Sequence, residues 1–337
     1  MEARATTGPR RITFVTNPDE CNLACPMCRE HSPLAPRPAR PPRRLSFDVV
    51  ERVLDERRGS ALAEVVASTK GEPLLWPALR RLALACRTRG LSLNLTTNGT
   101  FPGGAIAWAQ LLVPACSDVK ISWNAVTAAT AAAVMPGLAL DRAVQGARAF
   151  LSVRDRLAAA GERACRVTFQ VTAQERNVAE LAGIVKLAAQ LGVDRVKVNQ
   201  LQVHFPALAP DDLRRDAAAR GRWNDAVAAM REAARAHRAP GRPPLHLQNV
   251  QEWPDAGGGV PYGPCPFLDR EAWVTADGDF APCPAPPGQE GALGRFGSIH
   301  SQPLGAIWEG RPYRALVAGH ASAGPCARCS LRRPGGV

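Results

Sequence analysis

Three cysteines lie within eight residues near the start of the chain, as Cys21, Cys25 and Cys28 in the order Cys-x3-Cys-x2-Cys. Thiolates are ligands that zinc and iron–sulfur clusters share. A structural zinc site takes four ligands, and His31 is the candidate for the fourth. Three cysteines on a four-iron cluster would instead leave one iron open for a substrate or cofactor.

A second group of cysteines lies near the C-terminal end and comprises Cys265, Cys283, Cys326 and Cys329. The Asp277–Gly278 pair lies between β-like residues and predicts a hairpin. That hairpin would bring Cys265 and Cys283 together, and the last two cysteines could then close the site. Four thiolates fit either zinc or a four-iron cluster.

The composition is that of an ordinary globular protein of about two domains, with 337 residues, 46% hydrophobic and 21% charged. No apolar run approaches the ~18 to 20 residues that span a bilayer, and the start lacks an apolar secretory signal. We therefore expect a cytoplasmic location, where ten cysteines favour metal binding or chemistry over disulfides. The net charge of +12 permits an acidic partner. The sequence has no basic block interleaved with aromatics, which is the pattern that would indicate a nucleic-acid surface.

Short β-branched runs alternate with amphipathic segments from residue 11 to about residue 205. The predicted strands are Arg11–Thr16, Glu64–Thr69, Leu91–Thr97, Asp118–Trp123, Arg166–Thr172 and Arg195–Leu201. The predicted helices are Phe47–Glu56, Trp76–Arg89, Asp141–Ala159 and Val178–Leu191. This repeat predicts an α/β fold with a parallel sheet. Six units are too few to close a full barrel, so we expect a partial (β/α)6 barrel with its site at the carboxyl ends of the strands.

Short segments whose residues could bind a ligand end or follow three of these strands. They are Lys70-Gly71-Glu72-Pro73, Thr97-Asn98-Gly99-Thr100 and Ile121-Ser122-Trp123-Asn124. Gly71 permits a close backbone approach, and Glu72 can accept a hydrogen bond from an ammonium group. With the Cys-x3-Cys-x2-Cys loop, these segments resemble the radical S-adenosylmethionine (SAM) superfamily. Lys70 and Asn124 replace the glycine and aspartate that are usual there.

The resemblance implies a [4Fe–4S] cluster on Cys21, Cys25 and Cys28, whose open iron binds SAM. It also implies that reductive cleavage of SAM gives a 5′-deoxyadenosyl radical, which abstracts a hydrogen atom from the substrate. The residues expected to contact SAM are Met27, Gly71, Glu72, Pro73, Thr97, Asn98, Ser122, Asn124 and Arg142. An electron donor such as flavodoxin or ferredoxin is expected as a partner.

The C-terminal cysteines resemble those of a twitch domain, the short relative of the SPASM domain. The resemblance implies one auxiliary [4Fe–4S] cluster on Cys265, Cys283, Cys326 and Cys329, with zinc as the alternative. The predicted domains are a radical SAM core over residues 10–210, a helical connector over 211–245 and an auxiliary-cluster domain over 246–337.

Three functions are compatible with this resemblance. The first is a dehydrogenase of aminocyclitol or sugar-like natural products, in which the auxiliary cluster accepts an electron from the substrate radical. A peptide-modifying enzyme that crosslinks or epimerises its substrate is the main alternative. Only 20 residues precede Cys21, so we expect no N-terminal peptide-binding domain, which favours a small molecule. The third is a non-catalytic iron–sulfur or zinc scaffold, of which an RNA-binding form is disfavoured.

Other residues carry weaker hypotheses. Cys86, Cys116 and Cys165 are expected to be buried small hydrophobes, although an epimerase would need a cysteine as hydrogen donor. His204 is expected at the mouth of the barrel, as a substrate contact, a general base or a residue without a role. The Pro36–Arg44 loop is interpreted either as a solvated loop or as a lid over the site.

Overall fold

The computed structural model describes residues 8–36, 39–67, 70–237, 243–253, 264–284, 293–322, 324–327, 329 and 332. Six parallel strands lie side by side in chain order. They are β1 (Arg11–Phe14), β2 (Glu64–Ala67), β3 (Ser92–Thr97), β4 (Cys116–Ser122), β5 (Arg166–Ala173) and β6 (Arg195–Gln200). All six predicted strands are thus present with small shifts at their ends. Residues 68–69, the end of the second predicted strand, lie outside the described residues.

Helices connect the strands and cover one face of the sheet. They are α1 (Phe47–Glu56), α2 (Leu79–Thr88), α3 (Ala105–Leu112), α4 (Ala128–Val134), α5 (Leu140–Ala159), α6 (Leu181–Leu191) and α7 (Ala217–Ala236). Short 3-10 helices form at Pro73–Leu75, Val178–Glu180 and Pro206–Asp211. α3 and α4 are not among the predicted helices, because their Ala-rich or nearly continuous apolar sequences lack an amphipathic period.

Strands from the C-terminal third extend both edges of the sheet. β7 (His246–Gln248) pairs in parallel with β6, and β8 (Glu271–Val274) pairs in parallel with β1. β9 (Phe280–Ala281) is antiparallel to β8 and completes the predicted hairpin. Gly278, in the turn, has a φ of 80°, a left-handed conformation that glycine adopts at little cost. Within the described residues, the core sheet therefore has nine strands in the order β7-β6-β5-β4-β3-β2-β1-β8-β9.

The two faces of the sheet differ in chemistry because side chains alternate along each strand. Apolar residues such as Ile12 and Val65 join the main hydrophobic core. The other face is polar and linked across strands. For example, Thr13 Oγ1 donates to Glu271 Oε1 at 2.8 Å, and Thr168 Oγ1 donates to Asp118 Oδ1 at 2.8 Å. These bonds satisfy polar groups that would otherwise be costly to bury.

The described part of the C-terminal segment includes the short helices α8 (Leu304–Glu309), α9 (Arg311–Gly319) and α10 (Gly324–Ala327). α8 is fastened to α1, since Glu56 accepts hydrogen bonds from the backbone N–H groups of Leu304 at 3.0 Å and Gly305 at 2.7 Å. None of the helices in the described ranges is long and apolar enough to cross a membrane.

Candidate active site at the carboxyl ends of the strands

The first three cysteines lie on the loop that follows β1, which we call the cluster loop (residues 17–31). Each is partly exposed, and the N–H of Cys28 donates to the carbonyl oxygen of Cys25 at 2.9 Å. Burial raises the pKa of the Cys25 thiol to about 12, and the neighbouring thiols Cys28 and Cys21 add to the rise. Burial also raises the pKa values of Cys21 and Cys28. Any metal bound here must therefore displace protons from these thiols.

This donor set fits a four-iron cluster better than a single zinc ion. Within the described residues, no three side chains of His, Cys, Asp or Glu lie close enough together to hold one metal ion. The Nε2 atom of His31 lies 2.8 Å from the carbonyl oxygen of Pro18, so the ring is engaged with the backbone. The backbone N–H of His31 points to Cys28 Sγ at 3.3 Å. The structure thus gives no support to the zinc alternative with His31 as fourth ligand.

Glu72 joins the end of β2 to the end of β3. Its carboxylate accepts hydrogen bonds from the N–H of Asn98 at 2.7 Å, the hydroxyl of Thr97 at 2.7 Å and the N–H of Leu74 at 3.1 Å. Burial raises the pKa of Glu72 to about 7, although these three bonds oppose the rise. Since a carboxylate has about four acceptor sites, Glu72 keeps capacity for a further donor.

Gly71 is required by close packing against the cluster loop. A Cβ atom at this position would lie 2.2 Å from the carbonyl oxygen of Asn17 and 2.6 Å from that of Glu20. The next N–H, of Glu72, donates to the carbonyl oxygen of Glu20 at 2.8 Å. Pro73 begins the buried 3-10 turn that follows. The expected close approach at Gly71 is therefore made by the chain's own backbone immediately before Cys21.

Asn98 lies beside the first cluster-loop cysteine. Its Nδ2 atom is 2.8 Å from Asn22 Oδ1 and 3.8 Å from Cys21 Sγ. Met27 packs with Cys21 and Cys25 against a small apolar cluster. That cluster consists of Leu23, Ala125, Ala131, Val134 and Met135. The third and fourth strand ends thus both reach the cluster loop.

Ser122 and Asn124 have different surroundings at the end of β4. Ser122 is partly exposed, whereas Asn124 is buried and its Oδ1 accepts from the N–H of Thr172 at 2.7 Å. Arg142 is exposed in the first turn of α5. Across the described chain, no hydrogen bond or ion pair joins it to Ser122 or Asn124. The assignment of all three to SAM stays a prediction.

The loop after β6 also reaches the cluster loop. His204 lines a cavity of about 470 Å³ with Arg29 and Glu30, which directly follow Cys28. Burial and the neighbouring Arg29 lower the pKa of His204. Glu30 also faces Lys70 at 3.8 Å. The sequence predicts His204 at the mouth of the barrel. It does not predict Arg29 and Glu30 there, because their only sequence signal is their place next to a cluster cysteine.

The C-terminal cysteines flank the β8–β9 hairpin and the last helix. Cys265 precedes β8, Cys283 follows β9 and Cys326 lies in α10. Burial raises the pKa of Cys326, and the nearby thiols of Cys265 and Cys329 add to the rise. The structure therefore brings three of the four predicted ligands into one neighbourhood, with Cys283 two residues beyond β9.

Arg43 connects the cluster loop to that hairpin. Its guanidinium contacts Asp19 at 3.1 Å and Asp277 at 2.9 Å. Burial would raise the pKa of Asp19, but hydrogen bonds from Arg40 and Arg43 hold it well below its usual range. Arg44 likewise pairs with Glu20. These ion pairs hold the Arg40–Arg44 part of the Pro36–Arg44 loop on the cluster loop, while residues 37–38 lie outside the described residues.

Two known families match the parts of the chain that contain the two cysteine groups. Residues 18–160 match the radical SAM superfamily, and residues 265–330 match an iron–sulfur cluster-binding domain, SPASM. The chain thus carries a radical SAM domain and, C-terminal to it, a SPASM domain. Its cofactors are accordingly a [4Fe–4S] cluster, SAM and auxiliary iron–sulfur. The partial-barrel fold expected from the sequence is confirmed, and the family match favours iron–sulfur over zinc at the second group.

Curated relatives of this radical SAM protein are peptide cyclases. The PqqA peptide cyclase of Methylorubrum populi is 29% identical over 329 residues, covering 93% of this chain and 75% of the relative. That of a Methylobacterium species is 28% identical over 323 residues, covering 93% of this chain and 76% of the relative.

Solved structures share the fold. Streptococcus suis SuiB bound to S-adenosylmethionine has a TM-score of 0.65 and 16% identity, covering 96% of this chain and 72% of SuiB. The enzyme anSMEcpe with bound AdoMet has a TM-score of 0.64 and 12% identity, covering 92% of this chain and 80% of anSMEcpe. At these identities the likeness concerns the fold alone.

Proposed function

We propose that this radical SAM protein is a peptide-modifying enzyme that forms a bond within a peptide. The observation that carries the proposal is the 29% identity to PqqA peptide cyclases over 93% of the chain. The aligned region is long enough to include the strand-end segments and the SPASM domain. The first choice of the sequence analysis, a dehydrogenase of aminocyclitol-type natural products, finds no support among these relatives.

The residues of the radical SAM domain would have separate roles in this reaction. Cys21, Cys25 and Cys28 would hold the cluster that binds SAM. When bound, the cluster and SAM would together supply a 5′-deoxyadenosyl radical, which can take hydrogen from an unactivated C–H bond. Glu72, buried and held by Thr97, would accept from the SAM ammonium group. The ion pairs around Asp19 hold the cluster loop in place, which keeps the reacting groups in a fixed geometry.

The SPASM cysteines would hold the auxiliary cluster. Forming a bond within a peptide removes two hydrogen atoms, one taken as an atom and the other leaving as a proton and an electron. Cys265, Cys283, Cys326 and Cys329 would hold a group able to accept that electron. An external electron donor such as flavodoxin or ferredoxin is part of the proposal, since SAM cleavage is reductive.

The test is an anaerobic assay of the reconstituted enzyme with SAM and a chemical reductant. The probe is synthetic PqqA peptide, the substrate named for the curated relatives. We expect 5′-deoxyadenosine together with a peptide two hydrogen atoms lighter, with the new bond located by fragmentation mass spectrometry. The Cys25→Ala variant, which lacks a cluster ligand, is the control for chemistry without the cluster.

Three other outcomes would overturn the proposal. Incorporation of solvent deuterium without loss of hydrogen would indicate epimerisation. Oxidation of aminocyclitols with no change in any peptide would restore the dehydrogenase. A reconstituted protein that never cleaves SAM under strong reduction would be a non-catalytic scaffold.

A further inference from the structure

The loops after β1 and β6 meet although five strand positions separate their strands in the sheet. Both loops line one cavity of about 470 Å³, which we call the seam cavity. Arg29, Glu30 and Pro36 come from the first loop, and Val203, His204 and Phe205 from the second. The sheet is therefore curved enough that the loops after β1 and β6 come together over its polar face. The seam cavity opens at the carboxyl ends of the strands, where active sites of such folds lie.

The charges around the seam cavity are unbalanced. Glu30 lies 3.8 Å from Lys70, so a lysine already faces the one carboxylate that lines the cavity. Arg29 has no hydrogen bond or ion pair anywhere in the described part of the chain, and its only described interaction is with His204, which it repels when that ring is charged. A guanidinium in this position matches a carboxylate, which it can bind with two parallel N–H donors.

Part of the lining of the seam cavity is apolar, namely Ala35, Pro36, Val203 and Phe205. Val203 is 40% exposed, and Leu34, in the same loop as Ala35 and Pro36, is 46% exposed. Exposed aliphatic side chains beside a cavity offer apolar surface on which apolar groups of a ligand can pack. Among the described residues, the cavity thus combines the unpaired guanidinium of Arg29 with aliphatic side chains.

We propose that the seam cavity binds an acidic side chain of the peptide substrate, flanked by aliphatic residues that pack on Val203 and Leu34. Arg29 pairs with the carboxylate, and a ring N–H of His204 donates a second hydrogen bond. This inference rests on the proposed function for its substrate class. Because Arg29 directly follows Cys28, the bound acidic residue lies beside the cluster loop, and it fixes which part of the peptide is presented to the site.

The experiment is a selection of displayed random octapeptides on anaerobically reconstituted enzyme with SAM, at a salt concentration that screens non-specific attraction to the basic chain. We expect selected peptides to share Asp or Glu at one fixed position next to aliphatic residues. Changing that residue to Gln or Asn in a labelled peptide should weaken binding about tenfold or more, as measured by fluorescence anisotropy.

Matched variants test the assignment to Arg29. Arg29→Gln should remove the acidic preference, and Arg29→Glu should replace it with Lys or Arg at the same position. Arg235→Gln, which changes the net charge equally at an exposed residue on α7, should leave the preference intact. His204→Ala should weaken binding of the acidic peptide more than binding of the same peptide with Gln or Asn at that position. This variant still tests the proposal if the Arg29 variants lose iron.

The proposal is overturned if the selected peptides share no acidic position, or if neither Arg29→Gln nor His204→Ala changes the acidic preference. It is also overturned if Arg29→Gln weakens the binding of SAM but not that of the peptide. The selection measures binding, whereas the proposed function is measured by peptide mass. A peptide that binds through its carboxylate but is never modified therefore counts against bond formation and not against the seam cavity. A peptide that is modified without an acidic residue counts against the seam cavity alone.

Discussion

The carboxylate of Glu72 accepts a 2.7 Å hydrogen bond from the backbone N–H of Asn98. Asn98 in turn lies beside Cys21, with its Nδ2 atom 3.8 Å from the sulfur. The ends of β2 and β3 are thereby linked to the first cysteine of the cluster loop. A carboxylate buried in this way and bonded to two strand ends contributes to the fold, so its protonation should be visible in stability.

We predict that stability depends on pH through Glu72. The folded chain keeps a proton on Glu72 up to about pH 7, whereas the unfolded chain releases it near the ordinary value of 4.5. Between these values the folded state binds more protons, so the free energy of unfolding falls as pH rises. Across this pH range the free energy of unfolding should fall by about 3 kcal/mol more in the unsubstituted chain than in the Glu72→Gln variant. Urea unfolding of the metal-free protein at about pH 5 and about pH 8 measures it. Equal pH dependence in both proteins would contradict the prediction.

Gly71→Ala should impair cluster assembly. The added methyl group would meet backbone carbonyl oxygens of Asn17 and Glu20, which cannot rotate away, so the start of the cluster loop must shift. We expect iron bound by Cys21, Cys25 and Cys28 to fall after reconstitution. Gly221→Ala is the control, since no atom lies within 4 Å of its added Cβ. Full iron content in both variants would show that the loop tolerates the shift.

Much of the core and of the site followed from local patterns. The short β-branched runs predict each of the six strands β1 to β6, and the Cys-x3-Cys-x2-Cys spacing predicts the cluster loop. α1 agrees with its prediction, Phe47–Glu56, residue for residue, because its apolar positions recur at helical spacing. The Asp277–Gly278 pair predicts the hairpin because a turn of this kind needs glycine at a positive φ.

Features that depend on distant contacts did not follow from the sequence. β8 joins the edge of the core sheet beside β1, which lies some 260 positions earlier in the chain, as the Arg11↔Glu271 pairing shows. No local pattern reveals such a partner. Arg43 likewise stands in a run of Pro and Arg, where only the fold shows that it contacts Asp277. The order of β1 and β6 in the sequence also gives no sign that their loops meet at Arg29 and His204.

Iron counts should separate the two cysteine groups. The unsubstituted chain is expected to bind about eight iron atoms as two four-iron clusters, and Cys25→Ala and Cys326→Ala should each remove about four. Cys25→Ala should also abolish 5′-deoxyadenosine formation, and Cys326→Ala should abolish the peptide product. Cys86→Ala, a change at a buried cysteine in α2, should keep all the iron. Zinc in place of half the iron would remove the electron acceptor from the proposal.

The ion pair between Arg43 and Asp277 should couple the cluster loop to the β8–β9 hairpin weakly but measurably. The two side chains are 35% and 52% exposed and lie 2.9 Å apart, so solvent screens much of their attraction. A double-mutant cycle of Arg43→Ala and Asp277→Ala should give a coupling energy of about 0.5 kcal/mol that shrinks in high salt. Arg40 also pairs with Asp19, at 2.6 Å, but has no described contact with Asp277. The same cycle with Arg40→Ala should therefore give no coupling. Equal coupling in the two cycles would mean that Arg43 and Asp277 interact only through the general field of the loop.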